Sequence, residues 1–482
     1  MIGRLRPFAP QLVLPAILLI AFVVYAPTLN DWFQSDDFWF LRSSQSISFG
    51  EYAADSFDFR QTGTLPEFDR YRPLYPIVWK LQYAVFGLNA LGYHAVLLML
   101  HLSCTALVWF IAFRLTRHAW AASLAALIFS LHPAYAGAVT WLSGGNRVFA
   151  TFPYLLSLLL FMKYLDGTRR RAIYYLGSLL AFVSAILFHS SALTLAAVLP
   201  AYVFLVARKP AEALRVAAWV QFAPFAVVSI ALVGVQLWVR SHLGIEDQFR
   251  FGMHQYSIYG HYLGMALFPS HWLDTNGLWE PLSWLRNRVH GLEGPASLAM
   301  ILITVVLLNQ RRWPHLGIFV AWWFYLSLLP DSTLFFVPLR RALYLPGAAL
   351  AIFLVAAVLW VKATFPGPLV RLSTQMAPAL LVAALLPTIF LTLQYEQTSG
   401  RGAAENEKFA MQLRASVPTL ESGGTLYVVN APLNLVVFTD SPLDALVELY
   451  YGEADVRSLP ANQVAETERA LGPKDRLFHY RP

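Results

Sequence analysis

The chain has 482 residues, 57% of them hydrophobic and only 13% charged, with a formal net charge of +7. A soluble domain carries about a quarter charged residues, so this composition excludes an ordinary soluble globule and points to a multispanning membrane protein. The basic residues sit in short loops between apolar runs and form no aromatic-interleaved stripe, which argues against nucleic acid as a partner. The single cysteine, Cys104, rules out an intrachain disulfide and a Cys-based metal cluster.

Read from the N-terminus, Arg4 and Arg6 precede an apolar run from about Gln11 to Leu29. The run has full spanning length and no A-x-A-like cleavage site, so it reads as an uncleaved first helix with a cytoplasmic start. Basic, acid-poor clusters follow at 114–118, 166–171, 207–215, 309–315 and 362–371. Short loops of that kind belong on the cytoplasmic side. The segments between them hold most of the acids, among them Asp31, Asp36, Asp37, Asp274, Glu280 and Asp331, and are placed outside. The alternation predicts about eleven spans and an extracytoplasmic C-terminus. It requires Leu74–Gly87 and Tyr256–Pro269 to be interfacial or loop helices. The two outer loops, 30–90 and 241–294, are too long for plain connections.

Residues 1–394 are thus expected to form a membrane domain. Residues 395–482 read as a small soluble α/β unit, with strands at 425–430 and 435–439 and a helix in "SPLDALVELYYG". The predicted class is an all-α polytopic membrane protein with a small extracytoplasmic α/β unit. Arginine outnumbers lysine 29 to 6 and alanine is abundant, the composition of a GC-rich bacterial genome. The expected location is a cell inner membrane.

Four stretches could carry chemistry. In "NDWFQSDDFWFLR" the carboxylates Asp36 and Asp37 lie among Trp32, Phe33, Phe38, Trp39 and Phe40. A partly desolvated carboxylate beside a like charge gains proton affinity and can serve as a general base, or hold a divalent ion. "SDD" before an apolar run is equally good helix-capping chemistry. Residues 70–101 place Arg72 before an interfacial helix start, a good anion seat or a headgroup anchor. His94 and His101 follow on one span as core residues or pocket residues. "SLHPAYAGAVTWLSGGNRVFA" is a hairpin carrying His132, Trp141 and Arg147. In "LLPDSTLFFVPLRRALYLPGAAL", Arg340 and Arg341 enter a span from outside and need an anionic partner, either a lipid phosphate or a carboxylate such as Asp331.

Together these stretches resemble the GT-C superfamily of membrane glycosyltransferases, especially the TMTC-type O-mannosyltransferases. The likeness rests on Asp36-Asp37; on Tyr71-Arg72-Pro73-Leu74, Gly92-Tyr93-His94 and Leu100-His101; on His132-Pro133, Ala138-Val139 and Gly144; and on Arg341-Ala342-Leu343-Tyr344-Leu345-Pro346. The order is kept over most of residues 30–350. The family's hairpin glutamate, arginine and aspartate fall at Gly137, Gly145 and Arg147, and its last glutamate at Arg340.

The resemblance implies transfer of a sugar from a polyprenyl-phosphate carrier to an acceptor hydroxyl on a glycan, lipid or protein, with inversion. Asp36 would be the general base, with Asp37 positioning it or sharing a divalent cation (Mg or Mn); a metal-free reaction stays open. Arg341, with Arg340, Arg72 and Tyr344, would hold the donor phosphate. Trp39, His94, His132, Trp141 and Arg147 would line the substrate pocket. The competing readings are a lipid-linked saccharide flippase and a non-catalytic binder of such a lipid.

Overall fold

The computed structural model describes residues 10–60, 71–207, 216, 219–242, 254–267, 315–334, 339–364, 367–436, 442–460 and 463–481. Most of the expected loop 241–294, including Asp274 and Glu280, lies outside these residues, as do nearly all of the clusters 207–215 and 309–315.

In chain order the principal helices are α1 (Pro10–Tyr25), α2 (Asp37–Ser46), α3 (Phe49–Phe57), α4 (Leu74–Phe86), α5 (Ala90–Thr116), α6 (Ala119–Ser130), α7 (Asn146–Leu165), α8 (Arg171–Phe188), α9 (Leu195–Tyr202), α10 (Ala223–His242), α11 (His254–Leu267), α12 (His315–Leu334), α13 (Tyr344–Thr364), α14 (Pro368–Ser416) and α15 (Pro442–Tyr451). Three strands lie near the C-terminus: β1 (Thr425–Val429), β2 (Asp455–Leu459) and β3 (Arg476–His479).

Among the described residues, 7 helices are long and apolar enough to cross a membrane, against the eleven expected from charge alternation. At 1.5 Å per residue, 18 residues reach ~27 Å, close to the ~30 Å of a hydrocarbon core. Helix α4, with 13 residues, and α11, with 14, fall short of that length.

The chain divides into two compact units. The first comprises Met1–Ala26, Leu97–Val139 and Gly144–Tyr395. Here α13 packs on α6 and α12. Ala121, Ala122, Ala125 and Ala126 of α6 are buried, as are Ala348, Ala349 and Ala351 of α13. In lipid the hydrophobic effect does not drive helices together, so small residues that allow close backbone approach supply the packing. Helices α7 and α8 form a hairpin tied by reciprocal bonds: Ser157 Oγ donates to Ser178 O at 2.7 Å, and Ser178 Oγ to Ser157 O at 2.9 Å.

The second unit comprises Pro27–Val96, Thr140–Ser143 and Glu396–Pro482. Its core is aromatic. Phe40 of α2 stacks on Trp79 of α4 at 4.9 Å, Tyr75 stands edge-on to both, and Tyr93 is tilted against Trp79 and edge-on to Phe33. Lys80 donates to Ser44 O at 2.5 Å and to Ile47 O, a cation on the carbonyls at the end of α2. Helix α15 packs on α2, where Arg42 pairs with Glu448 at 2.9 Å.

The sheet has the order β2-β1-β3 and is parallel throughout, with Leu426 opposite both Val456 and Arg476. Parallel pairing demands crossover connections, which the helical segments Pro442–Tyr451 and Val464–Ala470 supply. One expected strand is corrected: Leu435 and Val436 belong to a helical turn, Leu433–Val436, and 437–439 lie outside the described residues.

Candidate active site

The acidic pair sits in the second unit at the start of α2. Ser35, just before it, has φ 47°, a left-handed conformation unusual for a residue with a side chain. That turn sends the next two side chains to different fates. Asp36 occupies the N-cap position, half-buried, with no side-chain cap bond, and its Oδ1 accepts from Ser35 Oγ at 3.1 Å. Asp37 is 0% exposed. Its Oδ2 accepts the Gln34 amide at 2.9 Å, while its Oδ1 accepts the Ser143 amide at 2.8 Å and the Ser143 hydroxyl. Asp36 makes no side-chain cap bond to α2, and the partners of Asp37 lie outside the helix, so the capping expected of "SDD" is not made by either carboxylate.

Burial pushes the Asp37 carboxyl up to about 7, against the three donors that hold it down, and the charge of Asp36 adds to the rise. A buried carboxyl without those donors would rise further. Three of its roughly four acceptor positions are filled, so Asp37 does not fit the role of a cation ligand. Among the described residues, no group of three or more His, Cys, Asp or Glu is gathered that could hold a metal ion.

The same unit holds Arg72, His94, Trp39 and Trp141. Tyr75, in the first turn of α4, donates to Leu142 O at 2.5 Å, so Leu142 is tied to α4 and Ser143 to α2. Arg72 is buried just ahead of α4. His94 is buried on α5, and Trp39 and Trp141 are half-buried.

The remaining predicted residues lie in the first unit. Arg340 and Arg341 are half-buried in a 3-10 turn, Arg340–Leu343, that leads into α13. Burial raises the proton affinity of the Tyr395 hydroxyl, and the charges of Arg340 and Arg341 oppose that rise. That hydroxyl lies 2.5 Å from where a Cβ on Gly137 would stand, so the place of the family's hairpin glutamate is filled by Tyr395. At Gly145 the equivalent space is filled by Leu97 Cδ1, at 2.8 Å.

Tyr344 faces inward. Its hydroxyl meets His101 Nδ1 at 2.7 Å, and His101 Nε2 meets Ser130 O at 3.1 Å. A carbonyl accepts only, so Nε2 carries the proton and Tyr344 donates to Nδ1. His132 likewise serves the fold: Nδ1 accepts the Ala134 amide at 3.2 Å and Nε2 donates to Ala266 O at 2.9 Å. Arg147 forms a bidentate pair with Asp331 at 2.9 and 2.7 Å, both side chains at most 5% exposed. Asp331, weighed as a partner for Arg340 and Arg341, is thus the partner of Arg147.

Sequence reasoning missed Ser143, Gln34 and Tyr395. Ser143 carried a signal, as a hydroxyl directly before the Gly144-Gly145 turn, but its partner lies 106 residues away. Gln34 and Tyr395 carried none.

No family profile matches the chain. Protein O-mannosyl-transferase Tmtc1 of Drosophila melanogaster is 31% identical over 150 residues, covering 30% of this chain and 18% of that protein. Human protein O-mannosyl-transferase TMTC2 is 32% identical over 135 residues, 27% of this chain and 16% of that protein. The chain therefore matches less than a fifth of these relatives' length. Among solved structures, an Archaeoglobus fulgidus oligosaccharyltransferase tethered to an acceptor peptide superposes with a TM-score of 0.51 at 13% identity, over 93% of this chain and 64% of that one. Sequence likeness and fold point the same way: the chain is a multi-pass membrane protein with the GT-C fold, the superfamily its motifs resemble.

Proposed function

We propose that the chain is an inverting glycosyltransferase that moves a sugar from a polyprenyl-phosphate carrier to an acceptor hydroxyl at the extracytoplasmic face. The observation that carries this reading is the division of labour in the acidic pair. Asp37 is locked by Gln34 and Ser143, which fixes the half-exposed Asp36 beside it. A general base needs that combination of fixed position and access to the substrate proton.

As the acceptor oxygen bonds to the anomeric carbon, its proton passes to Asp36. The bond from that carbon to the phosphate oxygen breaks on the opposite side, and the electron pair leaves with the lipid phosphate. A phosphate leaving group is a weak base, so no general acid is required. Arg341, with Arg340 and Arg72, stabilises the charge that develops there.

In this reading residues 1–394 carry the transferase and 395–482 stand outside, toward the acceptor, with the N-terminus in the cytoplasm of an inner membrane. Titration of the purified protein with a polyprenyl phosphate tests the phosphate assignment. Arg341→Ala should weaken binding at least tenfold. Unchanged affinity would move the phosphate site elsewhere.

A further inference from the structure

A second acidic pair, Asp31 and Glu396, lies within the second unit. Asp31 precedes the aspartate turn, and Glu396 lies on the part of α14 assigned to that unit. Glu396 is 3% exposed. Neither of its carboxylate oxygens, nor Asp31 Oδ2, has a hydrogen-bond partner among the described residues. Gly400, one turn beyond Glu396 on the same helix face, makes room for Asp31. Asp31 Oδ1 lies 2.7 Å from where a Cβ on Gly400 would stand.

The segment on which Asp31 rides is held along that helix. Gln34 Nε2 donates to Ser399 Oγ at 3.0 Å, and Asn406 Nδ2 to Phe33 O at 3.3 Å. The pair is therefore a fixed feature with three bare oxygens. The buried Glu396 carboxylate cannot be left charged and unsolvated beside the half-buried Asp31, so a cation or a proton must neutralise it.

We propose that Asp31 and Glu396 seat one hard divalent cation of the Mg or Mn class. A proton shared between the carboxyls would join one oxygen of each and leave the other Glu396 oxygen without a donor. A cation held by both carboxylates would give each of these oxygens a counter-charge. Magnesium-type sites are commonly built from one or two carboxylates, with water completing the octahedron. Burial raises the Asp31 carboxyl to about 6 and, helped by the charge of Asp31, that of Glu396 to about 8, as expected of oxygens that lack a counter-charge. A bound ion would clamp the segment 31–34 to α14 directly ahead of Asp36 and Asp37. The site is distinct from that pair.

The experiment is Mn2+ titration of the full chain in detergent at pH 7.5, read by electron paramagnetic resonance and by the unfolding temperature. Wild type and the exposed-loop control Glu421→Gln should bind one ion and gain thermal stability from it. Glu396→Gln and Asp31→Asn should each bind at least tenfold more weakly and gain none. Glu396→Gln replaces a buried carboxyl and Asp31→Asn a half-buried one, and the metal-free unfolding transition checks that both fold. Equal Mn2+ binding by all four proteins would overturn the proposal. So would binding retained in Glu396→Gln but lost in Asp36→Asn, which would place the ion at the first pair. Absence of Mn2+ binding in wild type, with Glu396→Gln more stable than wild type, would mean a shared proton and would also overturn it.

Discussion

Replacing Ser143 with alanine removes the hydroxyl bond to Asp37 Oδ1 and keeps the backbone one. A hydrogen bond to an ionised carboxylate is worth about 1.5–3 kcal/mol, and one to a neutral acid about 1 kcal/mol. The difference, about 0.5–2 kcal/mol, centres on about one pKa unit, so the Asp37 carboxyl should move from about 7 to about 8. The sign follows from linkage. Asp37 binds its proton more tightly folded than unfolded, so its contribution is full below the ordinary 3.8 and is lost as pH rises through 7. Ser143→Ala should therefore cost about 1 kcal/mol at pH 5.5 and about 1.5–3 kcal/mol at pH 8.5. Unfolding in detergent at the two pH values measures this directly. If transfer needs Asp37 ionised, the acid limb of the pH–rate profile should rise by about one unit as well. An equal loss of stability at both pH values would refute the reasoning, because Asp37 would then not titrate between them.

Two further predictions concern the first unit. Arg147→Met leaves Asp331 buried without its bidentate partner and should cost about 3–5 kcal/mol. The double variant Arg147→Met/Asp331→Leu should recover most of that in the unfolding temperature, and equal losses in single and double variants would sink the ion-pair account. Gly137→Ala drives a Cβ to 2.5 Å from the Tyr395 hydroxyl, an overpacking worth about 1–3 kcal/mol. Adding Tyr395→Phe removes that hydroxyl and should restore stability, whereas no rescue would mean that Tyr395 is not what fills the position.

The sequence announced its membrane class through a charge deficit that no soluble fold could share. The motif stretches around Asp36, Arg72, His132 and Arg341 could be found because each couples a polar group to an apolar run. What the acidic pair does with its neighbours could not be read in advance. Asp37 is anchored by Ser143 across 106 positions, and the reversal at Ser35 appears only as a backbone angle. Arg147 looked like a pocket residue because its partner, Asp331, lies 184 positions away.

The C-terminal sheet shows the opposite failure. "LVVFT" has the apolar, β-branched character of a strand, yet Leu433–Val436 is helical. The true partners of β1, "DVRSL" and "RLFH", are short and polar. Their place comes from parallel pairing with the buried Leu426, Val428 and Val429, which no local pattern encodes.

The most direct measurement is sugar transfer by the purified protein, in lipid, from a radiolabelled polyprenyl-phosphate hexose, comparing wild type with Asp36→Asn. The account predicts labelled acceptor and released polyprenyl phosphate with wild type. It predicts loss of turnover in Asp36→Asn, with donor binding and unfolding temperature unchanged. Full turnover in Asp36→Asn would contradict the assignment of Asp36 as the base.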